Sequence, residues 1–192
     1  MNLHHERYEA VSYAWGQPEF SKALFCDGSA CMNITPPVDL FLRYLRKQYT
    51  KRALWIDSVS INQSDEKEKS IQVLNMGGIF CHSRKVHIWL GESSQHTSTF
   101  FMALEALERY GMDKSMKQYI LNGSAHTAIV SETGRLLSVP WFERRWILQE
   151  VALGHDIIIH CGQLKMKWTI FGAGLNHIKD LSLDPQKRGV LG

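Results

Sequence analysis

The chain has 192 residues, of which 44% are hydrophobic, 21% charged and 10% aromatic; this excludes a disordered polymer and supplies one ordinary core without metal or disulfide staples. Its formal charge of +3, from 22 Lys plus Arg against 19 Asp plus Glu, is not gathered into a nucleic-acid footprint. No run approaches the roughly 20 apolar residues of a bilayer span, and Met1 to Glu9 lacks a signal-peptide apolar segment, so a single cytoplasmic domain with no membrane and no nucleic-acid partner is expected.

Tyr8 to Trp15 is a β-rich run stopped by Gly16 and Pro18, and reads as a strand carrying residues to a sheet edge. Leu24-Phe25-Cys26 and Ala30-Cys31-Met32 flank Asp27-Gly28, a dipeptide suited to a tight turn, and predict a peripheral β-hairpin. Thr35 is placed to cap a helix beginning at Pro36 or Pro37, along which Val38, Phe41, Leu42 and Leu45 form one apolar stripe. Ala53 to Asp57 is nearly continuous in apolar character and ends on a carboxylate, the pattern of a central parallel strand with an acid at its tip. A second helix is expected to follow Ser64 as its cap and to run to Cys81.

Lys85 to Leu90 predicts a further buried strand, closed by Gly91. From about 93 to 139 the pattern is mostly helical, with a polar middle at Asn122-Gly123-Ser124, and reads as an insertion over the sheet. Pro140 starts a helix expected to continue through Leu153, where Gly154 stops it, and Asp156 to Cys161 gives a fourth strand. Trp168 to Phe171 is read as an added edge, and the residues from about 172 to 192 as a trailing tail.

Strands alternating with helices predict an α/β fold with a mainly parallel central sheet flanked by helices. In such sheets ligands bind beyond the carboxyl ends of the strands, which selects the segments after Tyr13, Asp57, Leu90 and Cys161.

Trp141 to Val151 is the most informative of the candidate segments. On a continuous helical wheel Ile147, Leu148 and Val151 define the buried face, and Arg144 falls on the same arc one turn earlier. A buried guanidinium needs a carboxylate, for which Asp57 is the candidate; otherwise Arg144 snorkels past the helix start. Trp146 and Glu150 are four apart and share one surface. There Glu150 is either a solvated helix residue or a desolvated carboxylate whose pKa burial pushes upward.

Asp57 to Gln63 is composed to form a loop that either offers Asn62 and Gln63 to a ribose or phosphate, or simply caps the next helix. Ser12, Tyr13, Trp15 and Gly16 end the first strand with two aromatics and a hydroxyl, fit for stacking a planar ring or for core packing. The chain has no Gly-rich phosphate loop, dinucleotide fingerprint, His-Glu-x-x-His or Gly-x-Ser-x-Gly elbow. Cys26, Cys31, Cys81 and Cys161 match no zinc spacing, so no metal is expected.

Three blocks in order, Tyr8 to Gly16, Leu54 to Gln63 continuing through Glu68, Gln72, Val73 and Met76, and Trp141 to Glu150, closely resemble the fungal heterokaryon-incompatibility (HET) domain over about residues 8 to 162. Ser60 departs from the family's usual Cys in the Cys-Ile-Asn-Gln run, which argues against a catalytic thiol there. The resemblance implies a cell-death effector module of self/non-self recognition. It extends to Toll/interleukin-1 receptor (TIR) domains, since Val11-Ser12-Tyr13 is similar to their first strand and Trp146 to Val151 to their Trp-Cys-x-x-Glu-Leu helix.

What this implies is a TIR-like, flavodoxin-like strand order and an NAD glycohydrolase with Glu150 catalytic, NAD being substrate and no resident cofactor being needed. Ser12, Tyr13, Trp15, Gly16, Asp57, Asn62, Gln63, Arg144, Arg145 and Trp146 are then the nucleotide-binding candidates. A homo-oligomer on activation and an upstream signalling protein are the expected partners. The alternative is a non-enzymatic signalling module acting through protein contacts.

Overall fold

The computed structural model describes residues 8–17, 19–26, 31–111, 113–122 and 125–183. In chain order the elements are β1 (Glu9–Tyr13), β2 (Lys22–Phe25), β3 (Cys31–Ile34), α1 (Pro36–Leu45), β4 (Leu54–Trp55), α2 (Asp57–Ser60), α3 (Glu66–Leu74), α4 (Met76–His82) and β5 (Lys85–Trp89). They continue with α5 (Thr97–Tyr110), α6 (Lys114–Asn122), α7 (His126–Leu137), a 3-10 turn (Pro140–Glu143), α8 (Ile147–Leu153), β6 (Ile157–Cys161), β7 (Leu164–Lys167) and α9 (Trp168–Leu183).

The central sheet has the order β4-β1-β5-β6-β7. β1 runs parallel to both neighbours, with Ala10 opposite Trp55 on one side and Val86 on the other, and β5 pairs parallel with β6. β6 and β7 are joined by only Gly162 and Gln163, too short for a crossover, so this last pair is a hairpin. β1 and β5 are buried on both faces. The predicted α/β class with a mainly parallel, helix-flanked sheet and a separate antiparallel hairpin, β2 with β3, is what forms. The Asp27-Gly28 turn assigned to that hairpin lies outside the described residues.

The chain divides into two compact units, residues 1–92 with 139–165, and 93–138 with 166–192. In the first unit, the α1 stripe is buried through Val38, Phe41 and Leu45 against Val11, Tyr13, Ile34, Ile56 and Trp89. α4 packs on α8 so closely that a Cβ on Gly77 would meet Leu153 at 3.1 Å. Gly154, just past α8, has no room at all: a Cβ there would lie 2.5 Å from the Glu150 carbonyl oxygen and 2.7 Å from Val86.

In the second unit, α5 buries Phe100, Phe101, Ala103, Leu104 and Leu107, and α7 buries Ala128, Ile129 and Leu136. The buried Glu132 ties α7 to the start of α5 by accepting from Thr97, Ser94 and Arg135. Trp168 to Phe171, expected as an edge strand, instead opens α9, and the stretch read as a tail from 172 is helical as far as Leu183. Phe171 packs edge-on against Phe100, with centroids 6.5 Å apart, and Gly174 lets α9 approach Leu104 where a Cβ would be 2.7 Å away. The polar residues Gly123 and Ser124 lie outside the described residues, as do Asp184, Lys187 and Arg188.

The second predicted helix is two helices with a junction at Asn75, and its cap is Asp65, not Ser64: the Asp65 carboxylate accepts from the backbone N–H groups of Lys67 and Glu68. Among the described residues no helix is long and apolar enough to cross a membrane.

Candidate functional site

The chain leaves β1 toward β4 on one side and later returns to β5 on the other, so the strand order reverses at β1, the point where open α/β sheets form their crevice. Ser12 stands next to last in β1, and its hydroxyl donates to the Glu150 carboxylate and accepts from Trp141 Nε1 at 2.6 Å. Arg144 completes the cluster, with Nη2 3.0 Å from Glu150 Oε1 and Nη1 3.4 Å from both Oε2 and the Ser12 hydroxyl.

Glu150 is 1% exposed while Leu148 is 75% exposed, so the buried face of α8 is not the one drawn by the helical wheel. The reason is local. Pro140 to Glu143 forms a 3-10 turn, Arg144 is extended (φ −73°, ψ 132°), and α8 begins anew at Ile147, so the helical phase is lost between Trp141 and Glu150. That break turns Arg144 back onto Glu150, six residues later. Arg144 therefore pairs by hydrogen bonding with Glu150 and not with Asp57, the partner expected from the sequence.

Asp57 lies at the start of α2, just beyond the two-residue β4, and is buried. Its carboxylate accepts from Trp15 Nε1 and from the Ser58 backbone N–H, each at 2.7 Å, while Tyr13 donates its hydroxyl to Ser58 Oγ at 2.7 Å. Burial pushes the pKa of Asp57 up against the opposing pull of Trp15, Ser58 and Arg144. Burial likewise raises Glu150, against Arg144 and Ser12 and with the Asp57 charge adding to the rise. Desolvation and the neighbouring Asp57 charge hold the Tyr13 phenol well above its ordinary value. Two buried carboxylates thus share the field of one guanidinium, and the cluster favours holding a proton.

The sequence model of the family described as "Heterokaryon incompatibility protein (HET)" matches residues 8–150, which contain every residue of this cluster. The chain belongs to the HET family. It is 28% identical to "Heterokaryon incompatibility protein 6, OR allele" of Neurospora crassa over 223 aligned residues, covering 96% of this chain but 33% of that protein. The chain thus spans about a third of the length of that relative. No solved structure matches it.

Of the residues the HET resemblance named, the fold gathers Ser12, Tyr13, Trp15, Asp57, Arg144 and Glu150 at the carboxyl ends of β1 and β4. Gly16 turns the chain there with φ +70°, a conformation that favours glycine. Asn62 is exposed, and its side-chain oxygen accepts from the Ser64 backbone N–H and hydroxyl. Gln63 donates to the Asp57 carbonyl oxygen at 2.9 Å and so braces the loop from within. Arg145 and Trp146 are exposed at the turn into α8, Trp146 by 41%. Sequence reasoning missed Trp141, and weighed Ser58 only as a nucleophile without a histidine base, not as the acceptor of the Tyr13 hydroxyl. Trp141 is fully buried, and a tryptophan two residues after a valine and directly after a proline carried no signal beyond core packing. Among the described residues no cluster of three or more His, Cys, Asp or Glu is arranged to hold a metal ion.

Proposed function

We propose that this HET-family chain is an effector module of heterokaryon incompatibility that cleaves the nicotinamide–ribose bond of NAD, with Glu150 as the catalytic group. The observation that carries the reading is a desolvated glutamate held between a serine hydroxyl and a guanidinium at the crevice of the sheet. The TIR-like reading is supported by the reversal of strand order at β1 in the sheet β4-β1-β5-β6-β7, while the closing β6–β7 hairpin departs from an all-parallel sheet.

The chemistry follows from charge. As the C–N bond breaks, its electron pair passes to the ring nitrogen and nicotinamide leaves neutral, so the ribose takes on oxocarbenium character. An anion in a low-dielectric site stabilises this charge far more than it stabilises the ground state. Water then adds at the ribose carbon and gives up a proton, which a carboxylate of raised pKa is suited to accept. Ribose hydroxyls would take the positions that Ser12 and Arg144 now occupy around Glu150. Arg144 would turn toward the pyrophosphate, with Arg145 exposed nearby. Assembly of copies on activation, prompted by an upstream signalling protein, is the step proposed to open the cluster.

A second reading is favoured by the complete enclosure of Glu150, both of whose oxygens are engaged: a non-enzymatic module whose Arg144–Glu150 pair is structural. Incubating concentrated protein with NAD and following free nicotinamide separates the two. The enzymatic reading expects release by the wild type and a fall of about 100-fold or more in Glu150→Gln. Equal release by both proteins, or none by either, leaves the structural reading.

A further inference from the structure

Beyond the carboxyl ends of β1 and β5 lies a groove of about 530 Å³, within the range of small-ligand sites. Ala14, Pro36, Pro37, Leu40 and Val139 give it aliphatic walls, with Trp89 beside them. Its backbone offers an occupant few donors. Pro36 and Pro37 have no N–H, the Asp39 N–H is given to the Thr35 carbonyl at 3.1 Å, and the Leu90 N–H to that of His160 at 3.0 Å. Trp89 is 6% exposed, with its ring centroid 5.2 Å from Tyr44 and 6.4 Å from Phe41, so little of it is free to stack on a planar ligand. The lining suits a flexible aliphatic body better than a flat ring.

Charge at the groove is one-sided. Lys22 and Asp39 are its charged lining residues, but Asp39 is held by Arg43 on the next turn of α1, with Nε 3.0 Å from Oδ2. Lys22 stands on β2 opposite Ile34 and two residues before Leu24, so it shares the hairpin face through which Ile34 and Leu24 pack into the core. The residue is exposed at the groove's margin, and among the described residues no carboxylate is ion-paired to its ammonium. A lone cation at the rim of an aliphatic groove selects an amphiphile with an anionic head and repels one with a cationic head.

We infer that this groove binds an aliphatic monocarboxylate of the fatty-acid class, its chain lying along Pro36, Pro37, Leu40 and Val139 and its carboxylate meeting the Lys22 ammonium. The lining shares no residue with the Glu150 cluster, and the inference does not rest on cleavage of NAD. The probe is decanoate, titrated into the full chain at neutral pH below its micelle-forming concentration and followed by saturation-transfer NMR.

Affinity should rise about twofold to fourfold for each methylene added from hexanoate to decanoate, as burial of apolar surface requires. Lys22→Met should weaken decanoate about twofold to fivefold, while Lys22→Arg retains it. Decyltrimethylammonium, the same chain with a positive head, should bind the wild type several-fold more weakly than decanoate, and Lys22→Met should erase that preference. Leu40→Glu, which sets a carboxylate in the aliphatic wall, should cost about tenfold or more. Lys22→Met, at an exposed position, decides the matter if Leu40→Glu does not fold. The inference is overturned if the wild type binds no decanoate, if affinity is flat with chain length, or if Lys22→Met binds decanoate as tightly as the wild type. Binding to phosphatidylcholine vesicles without any response to soluble decanoate also overturns it, since the groove would then serve a membrane surface and not a free acid.

Discussion

β1 carries a buried glutamate cluster at each end, and the two are built on opposite electrostatic terms. At its start, Glu9 faces Arg84, Arg52 with Nε 2.8 Å away, and His87 with Nε2 2.9 Å away. Burial alone would raise its pKa, but hydrogen bonds from His87 and Arg84 and the charge of Arg52 outweigh it and pull the carboxyl down to about 2. With Glu9 ionised, His87 donates from Nε2 and its Nδ1 accepts from His160 Nε2, 2.8 Å away. Burial keeps both imidazoles neutral, lowering His87 and bringing His160 down to about 3. At the other end, burial wins over a single arginine and Glu150 is pushed up. One carboxylate is over-compensated and serves the fold; the other is under-compensated and poised for a change of partner.

Replacing each in turn tests that contrast. Glu9→Gln should have the largest effect, a loss of about 3–5 kcal/mol in chemical denaturation at neutral pH, because it leaves the largely buried Arg52 guanidinium without its carboxylate, whereas the half-exposed Arg84 can turn to water. A loss below about 1 kcal/mol would break the comparison. Ser12→Ala withdraws the hydroxyl that joins Trp141 to Glu150 and should cost about 1–2 kcal/mol, locating the stability of this end in hydrogen bonds. Glu150→Gln should shift stability by less than about 1 kcal/mol, the relief from burying a charge offsetting the lost pairing with Arg144.

The pH dependence of the two variants should have opposite signs. Glu9 is depressed, so its contribution is present above the ordinary glutamate value and is lost as pH falls from there toward about 2. The gap between wild type and Glu9→Gln should close over that interval. Glu150 is raised, so its contribution is complete below the ordinary value and is lost as pH rises through the folded pKa. Wild type should therefore gain on Glu150→Gln as neutral solution is acidified toward the ordinary value. Thermal melts of the three proteins across this range read both trends.

Most of the sheet was legible because buried parallel strands leave a local trace. Val86 to Trp89 and Ile157 to Cys161 are apolar runs interrupted only by His87 and His160, and the stripe of α1 repeats with the helical period. The failures came where distant contacts override local preference. Trp168 to Phe171 has strand-like composition, yet the approach of α9 to α5 at Gly174 makes it helical. The acids and aromatics of the site were visible as residue types, but their geometry hung on one extended residue, Arg144, in a segment whose composition reads as unbroken helix. Asn62 and Gln63 had the right chemistry for a ligand and spend it on their own loop.

The two arginines on Glu9 come from the approaches to different strands. Arg52 lies two residues before β4 and Arg84 directly before β5, the neighbours that sandwich β1. One carboxylate therefore pins three strand starts into alignment. A slip of β1 by a single residue would turn Glu9 to the opposite side of the sheet and send Val11 and Tyr13 out of the core beneath α1. The same slip would exchange Ser12 for a neighbour at the crevice, so the correct stagger of the sheet, decided at one rim by charge, is what delivers a hydroxyl to Glu150 at the other.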